Sequence, residues 1–181
     1  MCFLGTDTQF SPGDKVVYPM HGVGNVERLE KREVLGITRL YYIIKIACDG
    51  MTVMIPVEKA EELGLRGIVE QKDVDLALGI LIKKCSAGMD EDWKARFNMN
   101  KEKIRAGAIF GVAEVVRDLF QRSKEKELSS SEKKLYESAY QLLADEISLR
   151  LGSERTTVED LIANKLEDGQ RRAVRRKKKA T

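Results

Sequence analysis

Few residues of this sequence combine the side chains and the spacing that catalysis requires. His21 is the only histidine, and it lies in a Pro/Gly-containing turn without an accompanying serine or cysteine motif. The GxSxG, HExxH and GxxxxGK[ST] motifs are absent from the sequence. Cys2, Cys48 and Cys85 fit neither a disulfide framework nor a CxxC metal site. These features predict a protein that is not an enzyme and uses no metal or other cofactor. An enzyme with a site built from carboxylates is a weaker alternative.

The charge distribution favours binding to nucleic acid. Residues 93–134 contain 11 basic and six acidic side chains, a local net charge of +5. The chain as a whole carries +3, but residues 169–181 hold seven positive charges and no negative one, which leaves −4 on residues 1–168. A solvated helical face with internal ion pairs explains the charges of residues 93–134 equally well. We expect residues 169–181 to be disordered, and either to follow nucleic acid electrostatically or to act as a solubilising end.

Trp93 favours nucleic-acid binding over a solvated helical face as the explanation for the charges of residues 93–134. It is the only tryptophan, it follows an acidic segment, and it opens a polar, basic helix predicted over Trp93–Arg105. An indole on a basic helical surface is the kind of flat apolar side chain that minor-groove binders place against an unstacked base step. The sequence therefore predicts a DNA contact at Trp93, with Lys94 beside it on the same turn.

The elements that must position these residues differ on the two sides of Pro56. Before it, hydrophobic residues recur every two residues, as in strands, and after it they recur about every 3.6 residues, as in helices. Four candidate strands bounded by Gly and Pro signals precede it, at residues 14–18, 24–30, 39–47 and 51–55. Asp49-Gly50 predicts a type I′ hairpin between the last two strands. So many short strands within about 50 residues predict a small SH3-like or Tudor-like β-barrel.

An all-α segment is predicted to follow the barrel. The expected helices cover residues 57–63, 72–85, 93–105, 108–121, 129–151 and 156–166, and capping boxes at residues 129–132 and 156–159 begin the last two. The fold class is therefore α+β, with a barrel over residues 10–66, a helical domain over 67–168 and a tail over 169–181. Neither a membrane span nor a secretory signal is evident, so we expect a cytoplasmic protein.

Several segments match a known family in both residues and spacing. They are FSPGDKVVYP at residues 10–19 with His21-Gly22 behind it, TVMIP at residues 52–56, AEVVRDL at residues 113–119, and the residues around the capping box at 128–133. Along nearly its full length the chain resembles the CarD/CdnL bacterial transcription regulators. Its N-terminal module is similar to the RNA-polymerase-interacting domain shared with the transcription-repair coupling factor, whose Tudor-like fold agrees with the predicted barrel.

The resemblance implies a protein that bridges two partners. The barrel would bind the RNA polymerase β subunit, and the helical domain would contact promoter DNA at the upstream edge of the bubble and stabilise the open complex. Trp93 occupies the wedge position of the family, and Arg96 and Lys133 match basic positions near the DNA backbone. Arg32 matches a basic residue that contacts the polymerase.

Two positions depart from the pattern of the family. Met54 stands where some relatives carry a second polymerase-contacting arginine, and Asn98 where some carry a DNA-contacting lysine. We expect a monomer associated with the nucleoid and with no membrane partner. The alternative is an SH3/Tudor-like RNA-binding or ribosome-associated module with an appended helical domain, acting without the polymerase.

Overall fold

A computed structural model describes residues 8–48, 50–85 and 92–179, with side chains up to Arg175 in the last range. The chain forms two compact units that divide between Ile68 and Val69, two residues after the boundary predicted from the sequence. The α+β class, with a β-rich unit followed by a helical one, is confirmed. None of the helices in the described ranges is long and apolar enough to cross a membrane.

The first unit is built on a five-stranded antiparallel sheet with the strand order β4-β3-β2-β1-β5. The strands are β1 (Lys15–Tyr18), β2 (Gly22–Val34), β3 (Ile37–Ile46), β4 (Thr52–Pro56) and β5 (Arg66–Gly67). The helix predicted over residues 57–63 is only a 3-10 turn, Val57–Lys59, and the short strand β5 was not predicted. The Asp49-Gly50 hairpin falls partly outside the described residues, and closure of the sheet into a Tudor-like barrel stays a prediction.

Alternate residues of β3 line the apolar core of this unit, although Tyr41 and Ile43, on the other face of the strand, are also buried. Tyr42, Ile44 and Ile46 alternate along the strand and are almost fully buried, together with Val26 of β2 and Ile55 of β4. Phe10 closes this core from the N-terminal side, with its ring edge against Tyr42 at 5.9 Å and its N–H donating to the Tyr42 hydroxyl at 3.2 Å.

The β2–β3 hairpin extends beyond the rest of the sheet as a two-stranded arm. Residues 31–34 pair only with residues 37–40 among the described strand pairs. Leu35 and Gly36 both have positive φ, 54° and 75°, as a two-residue type I′ turn requires. The turn leaves Val34, Leu35 and Ile37 exposed, Leu35 at 96%. The arm therefore ends in an apolar tip that the described residues do not cover.

The second unit contains five helices around one apolar core. They are α1 (Gln71–Leu81), α2 (Trp93–Arg105), α3 (Ile109–Glu125), α4 (Ser130–Leu151) and α5 (Arg155–Lys179). Buried side chains repeat every three or four residues, as in Ala139, Leu143 and Ile147 of α4. The capping box at Ser129 begins α4, and Gly152, with φ of 63°, ends it in the left-handed conformation.

The predicted bounds of α2 and α4 agree with the structure, whereas those of α1, α3 and α5 do not; α3 ends at Glu125 and not at residue 121. Helix α1 ends at Leu81 and not at residue 85. Helix α5 begins at Arg155, so Thr156 lies in its first turn and does not cap it. It continues to Lys179 and not to residue 166, so the basic segment expected to be disordered is helical. Residues 167–179 contain no proline to end the helix.

Replacing Gly24 by alanine tests the packing of the central strands. A Cβ at this position would lie 2.6 Å from Cγ2 of Ile44 and 3.0 Å from the carbonyl oxygen of Lys45. We expect Gly24→Ala to cost about 1–3 kcal/mol of unfolding free energy through overpacking, measured by urea unfolding. Gly67→Ala, where no atom lies within 4 Å of the new Cβ, is the matched control. Equal midpoints for both variants would contradict the close approach of β2 and β3.

Candidate functional site

Trp93 is the first residue of α2 and lies on the surface of the helical unit. Its side chain is 55% exposed, although large apolar residues of this unit are mostly buried. Lys94 and Asn98 on the same helix are also exposed. The start of α2 therefore presents an indole and a cation to solvent, whereas Asn98 adds no charge.

Arg96 does not share this exposure, which corrects its expected role as a contact to the DNA backbone. Its side chain is 2% exposed, and its Nε and Nη2 atoms donate to Oε1 of Glu132 on α4 at 2.9 and 2.7 Å. A guanidinium enclosed and paired in this way is not available to a phosphate group. Arg96 is a positioning residue that attaches α2 to the beginning of α4.

Glu132 connects three elements of the helical unit. Its Oε2 accepts hydrogen bonds from the N–H and the hydroxyl of Ser129, at 3.1 and 2.9 Å, and so completes the capping box. Its Oε1 binds Arg96 and lies 3.9 Å from Nε of Arg122 near the end of α3. The carboxylate thus fixes the ends of α2, α3 and α4 relative to one another.

This ion pair brings Trp93 and Lys133 to the same end of the helical unit. Trp93 is three residues before Arg96, about one helical turn, and Lys133 directly follows Glu132. Lys133 is exposed, and its Nζ donates to Oε1 of Glu127 at 2.8 Å. We name the exposed side chains Trp93, Lys94 and Lys133 the tryptophan surface.

The pKa of Glu132 reflects this environment. Burial raises it, but hydrogen bonds from Arg96 and Ser129 outweigh burial, so the pKa lies below the ordinary value of 4.5. The stabilisation that follows is complete above the pKa of the unfolded state and is lost as the pH falls through the lowered pKa of the folded state. The positions of α2 and α4 therefore depend on an ionised Glu132.

The AEVVRDL segment contributes to the interior of the helical unit. Val115, Val116 and Leu119 are fully buried, and Arg117 and Asp118 form a buried ion pair at 2.7 Å. Glu114 also accepts a hydrogen bond from Lys103 of α2 at 2.7 Å, a second attachment of that helix. This segment, which carries much of the resemblance, builds the scaffold of the site and not its surface.

Arg32 and Met54 lie on one face of the sheet, opposite the face that lines the apolar core, although Tyr41 and Ile43 on this face are also buried. Arg28, Ile43 and Met54 are paired across β2, β3 and β4, and paired residues share a face. Arg32 is four residues beyond Arg28 on β2, so it lies on that face about 13 Å further along the strand. Val34 and Ile37, paired at the end of the arm, lie there too. We name the exposed residues Arg28, Arg32, Val34, Ile37 and Met54 the outer face.

Arg32 already has an intramolecular partner on this face. Its Nε donates to Oε1 of Glu30 at 2.7 Å, and Nε of Arg28 donates to the other carboxylate oxygen at 3.0 Å. Hydrogen bonding to Arg32 is the main cause of the lowered pKa of Glu30; desolvation opposes it, and the hydrogen bond from Arg28 lowers the pKa further. Both arginines remain largely exposed, so a carboxylate on a partner could exchange with Glu30.

The remaining candidates for chemistry occupy ordinary positions. His21 stacks on Tyr18 with ring centroids 4.9 Å apart, as a loop residue at the end of a strand would. Cys48 and Cys85 are free thiols. Within the described ranges, no three His, Cys, Asp or Glu side chains are placed to hold a metal ion.

Comparison with known proteins gives both units an identity. Residues 10–69 match the CarD-like/TRCF RID domain, and residues 77–163 match the CarD C-terminal domain. The chain is also 39% identical over 146 residues to the Bacillus subtilis (strain 168) protein named "Putative transcription factor YdeB", covering 79% of this chain and 93% of that relative. The chain belongs to the CarD family.

CarD membership confirms the resemblance drawn from the sequence. Both matched domains are non-enzymatic transcription-factor domains, and the RID domain is an interaction domain for the RNA polymerase β subunit. This CarD-family protein is therefore a transcription regulator with RNA polymerase as its partner. The match to the C-terminal domain ends at residue 163, so the basic half of α5 lies outside it.

The sequence did not identify Glu132 as part of the site, although it did identify its capping role. The partner of Glu132, Arg96, is 36 residues away, and a buried arginine resembles a surface cation in sequence. Two sequence features could have indicated this contact. Glu132 is an acidic capping residue, and α2, the helix that carries Arg96, has few apolar residues to hold it in place.

Glu132→Gln tests whether this ion pair fixes α2. Because the buried guanidinium of Arg96 would lose its carboxylate, we expect a loss of about 3–5 kcal/mol in the free energy of unfolding, measured with urea at pH 7. The double variant Arg96→Met/Glu132→Gln should recover part of that loss, since no buried charge is left without its partner. Glu127→Gln, at an exposed ion pair, is the control and should unfold like the wild type. A wild-type midpoint for Glu132→Gln would contradict the positioning role.

Proposed function

We propose that this CarD-family protein binds the RNA polymerase β subunit through the outer face of its sheet unit and promoter DNA through its tryptophan surface, and that it stabilises the open promoter complex. The DNA contact would lie at the upstream edge of the transcription bubble. The observation that carries this proposal is the exposed indole of Trp93, held at the surface by the buried Arg96–Glu132 ion pair.

An indole at this position suits a kinked or partly unstacked base step. Inserting an apolar wedge costs unstacking energy, which is smallest where the duplex is already open or bent. A protein that contacts the open state more favourably than the closed duplex shifts the equilibrium toward the open state. Trp93 would therefore oppose collapse of the bubble without any covalent chemistry.

The cations of the tryptophan surface supply the remaining affinity. Lys94 and Lys133 are exposed beside the indole and can neutralise phosphates, which gives sequence-independent, salt-sensitive binding. Arg96 contributes indirectly, by holding α2 in place. Asn98 leaves one family position without a positive charge.

The outer face combines the features of a protein interface. Arg32 can form planar, paired hydrogen bonds with a carboxylate, and the exposed Val34 and Leu35 at the tip of the arm can enter an apolar pocket. Met54 offers apolar contact where an arginine would offer charge. Strand β4 is an edge of the sheet among the described pairs, so its backbone is open to a partner strand.

Arg32→Glu tests the polymerase contact. A carboxylate at this position would face the carboxylate proposed on the partner, and we expect the affinity for the β subunit to fall at least tenfold, about 1.4 kcal/mol. Calorimetry with the isolated β subunit measures this change. Lys15→Glu makes the same charge change at an exposed position of β1 and should bind like the wild type. Equal affinities for both variants would remove Arg32 from the interface.

Trp93→Ala tests the wedge. The side chain is half exposed, so we expect the melting temperature to change little, polymerase binding to persist, and the lifetime of the open complex to shorten. Leu76→Ala, at an exposed leucine of α1, is the matched control and should leave the lifetime unchanged. A large fall in melting temperature, with an unchanged lifetime per folded molecule, would assign Trp93 to packing and contradict the proposal.

A further inference from the structure

Helix α5 makes a very close approach to the end of α1. A Cβ at Gly169 would lie 2.8 Å from the carbonyl oxygen of Leu81 and 3.1 Å from Cα of Ile82. Real Cβ atoms are not found so close to a backbone oxygen, so only glycine fits at this crossing. The crossing fixes the position at which the basic half of α5 begins.

The chain that leaves α1 at this crossing is also fixed. The side-chain amide of Gln121, on α3, donates to the carbonyl oxygen of Lys83 and accepts from the N–H of Cys85, both at 2.9 Å. Gln121 is itself buried. Lys83 and Lys84 are exposed on this tethered segment, immediately after the residue that contacts Gly169.

Basic residues from two parts of the chain therefore converge on one region. Beyond Gly169, the sequence of α5 has seven basic residues and no acidic one. Arg171 pairs with Glu167 and Asp168 at 3.3 and 3.8 Å, whereas Arg172 and Arg175 are exposed and form no ion pair with the described residues. We name Lys83, Lys84, Arg172 and Arg175 the α5 surface.

Helix stability alone does not explain these charges. Cations are favoured near a helix C-terminus, but the effect falls off within the last turn. Arg172 and Arg175 precede the last turn of α5, and Lys83 and Lys84 belong to another segment. The charges are also concentrated in one half of the helix, whereas its first half mixes acidic and basic residues.

We infer that the α5 surface binds the phosphate backbone of duplex DNA as a second contact, separate from the tryptophan surface. Residues 171–179 span about 13 Å of helix, a length over which duplex DNA presents about eight phosphates. The surface contains no exposed aromatic side chain among its described residues, so it suits paired DNA and not unstacked bases. The choice of DNA rests on the proposed function, because the same unit carries the tryptophan surface.

The inference is tested by salt titration of the full-length protein with a fluorescent duplex in the absence of polymerase. Two variants divide the surface: Lys83→Ala/Lys84→Ala and Arg172→Ala/Arg175→Ala. If each cation contacts one phosphate, each variant should reduce the slope of log K against log salt by about 1.8. Lys45→Ala/Lys59→Ala removes the same charge from exposed positions of the sheet unit and should leave the slope unchanged.

The outcomes separate this inference from the proposed function. If Lys83→Ala/Lys84→Ala leaves the slope unchanged while Arg172→Ala/Arg175→Ala reduces it, the two segments do not form one surface. That result would overturn the inference and show that α5 binds DNA on its own. Equal or tighter binding of single-stranded RNA or of anionic lipid vesicles would also overturn the choice of duplex DNA. Trp93→Ala should keep the wild-type slope, because indole carries no charge, so failure of the wedge would appear only in the open-complex lifetime.

Discussion

The buried ion pair between Arg96 and Glu132 is the interaction on which the proposed DNA contact depends. Helix α2 has one fully buried apolar side chain, Ile104, so hydrophobic burial alone holds it weakly. Its other buried residues are Arg96 and Asn100, one turn apart on the same face. Burying two charges is costly, but their hydrogen bonds are directional, so the pair fixes the angle and register of α2 where an apolar contact would allow sliding.

The polar inner face of α2 explains why a surface tryptophan is compatible with a stable unit. The large apolar core is formed mainly by α1, α3, α4 and α5; α2 contributes only Ile104 to it and is otherwise attached by the Arg96–Glu132 and Lys103–Glu114 contacts. The side-chain amide of Asn100 is buried with no hydrogen-bond partner within the described part of the chain, which is unusual for a folded protein. Polar contacts therefore hold α2 in a defined position, although the helix gains little free energy from apolar packing.

Elements with local end signals could be predicted from the sequence, and elements that end through distant contacts could not. Ser129 and Gly152 encode both ends of α4 within a few residues. The end of α1 depends on Gln121, 40 residues after Leu81. In the site, the exposed position of Trp93 followed from its polar neighbours, but the burial of Arg96 did not, because its partner on α4 is visible only in the folded chain.

Two neutral residues, Asn98 and Met54, affect the physical character of the proposed contacts. Because they are neutral, neither adds a cation to the tryptophan surface or to the outer face. Unstacking by an indole releases no counterion and is insensitive to salt, whereas contacts by lysine and arginine weaken as salt rises. A DNA contact that relies on Trp93, with few cations near it, would retain its preference for open DNA at high salt but attract duplex weakly. Additional cations on α5, outside the matched C-terminal domain, would restore that long-range attraction without altering the wedge.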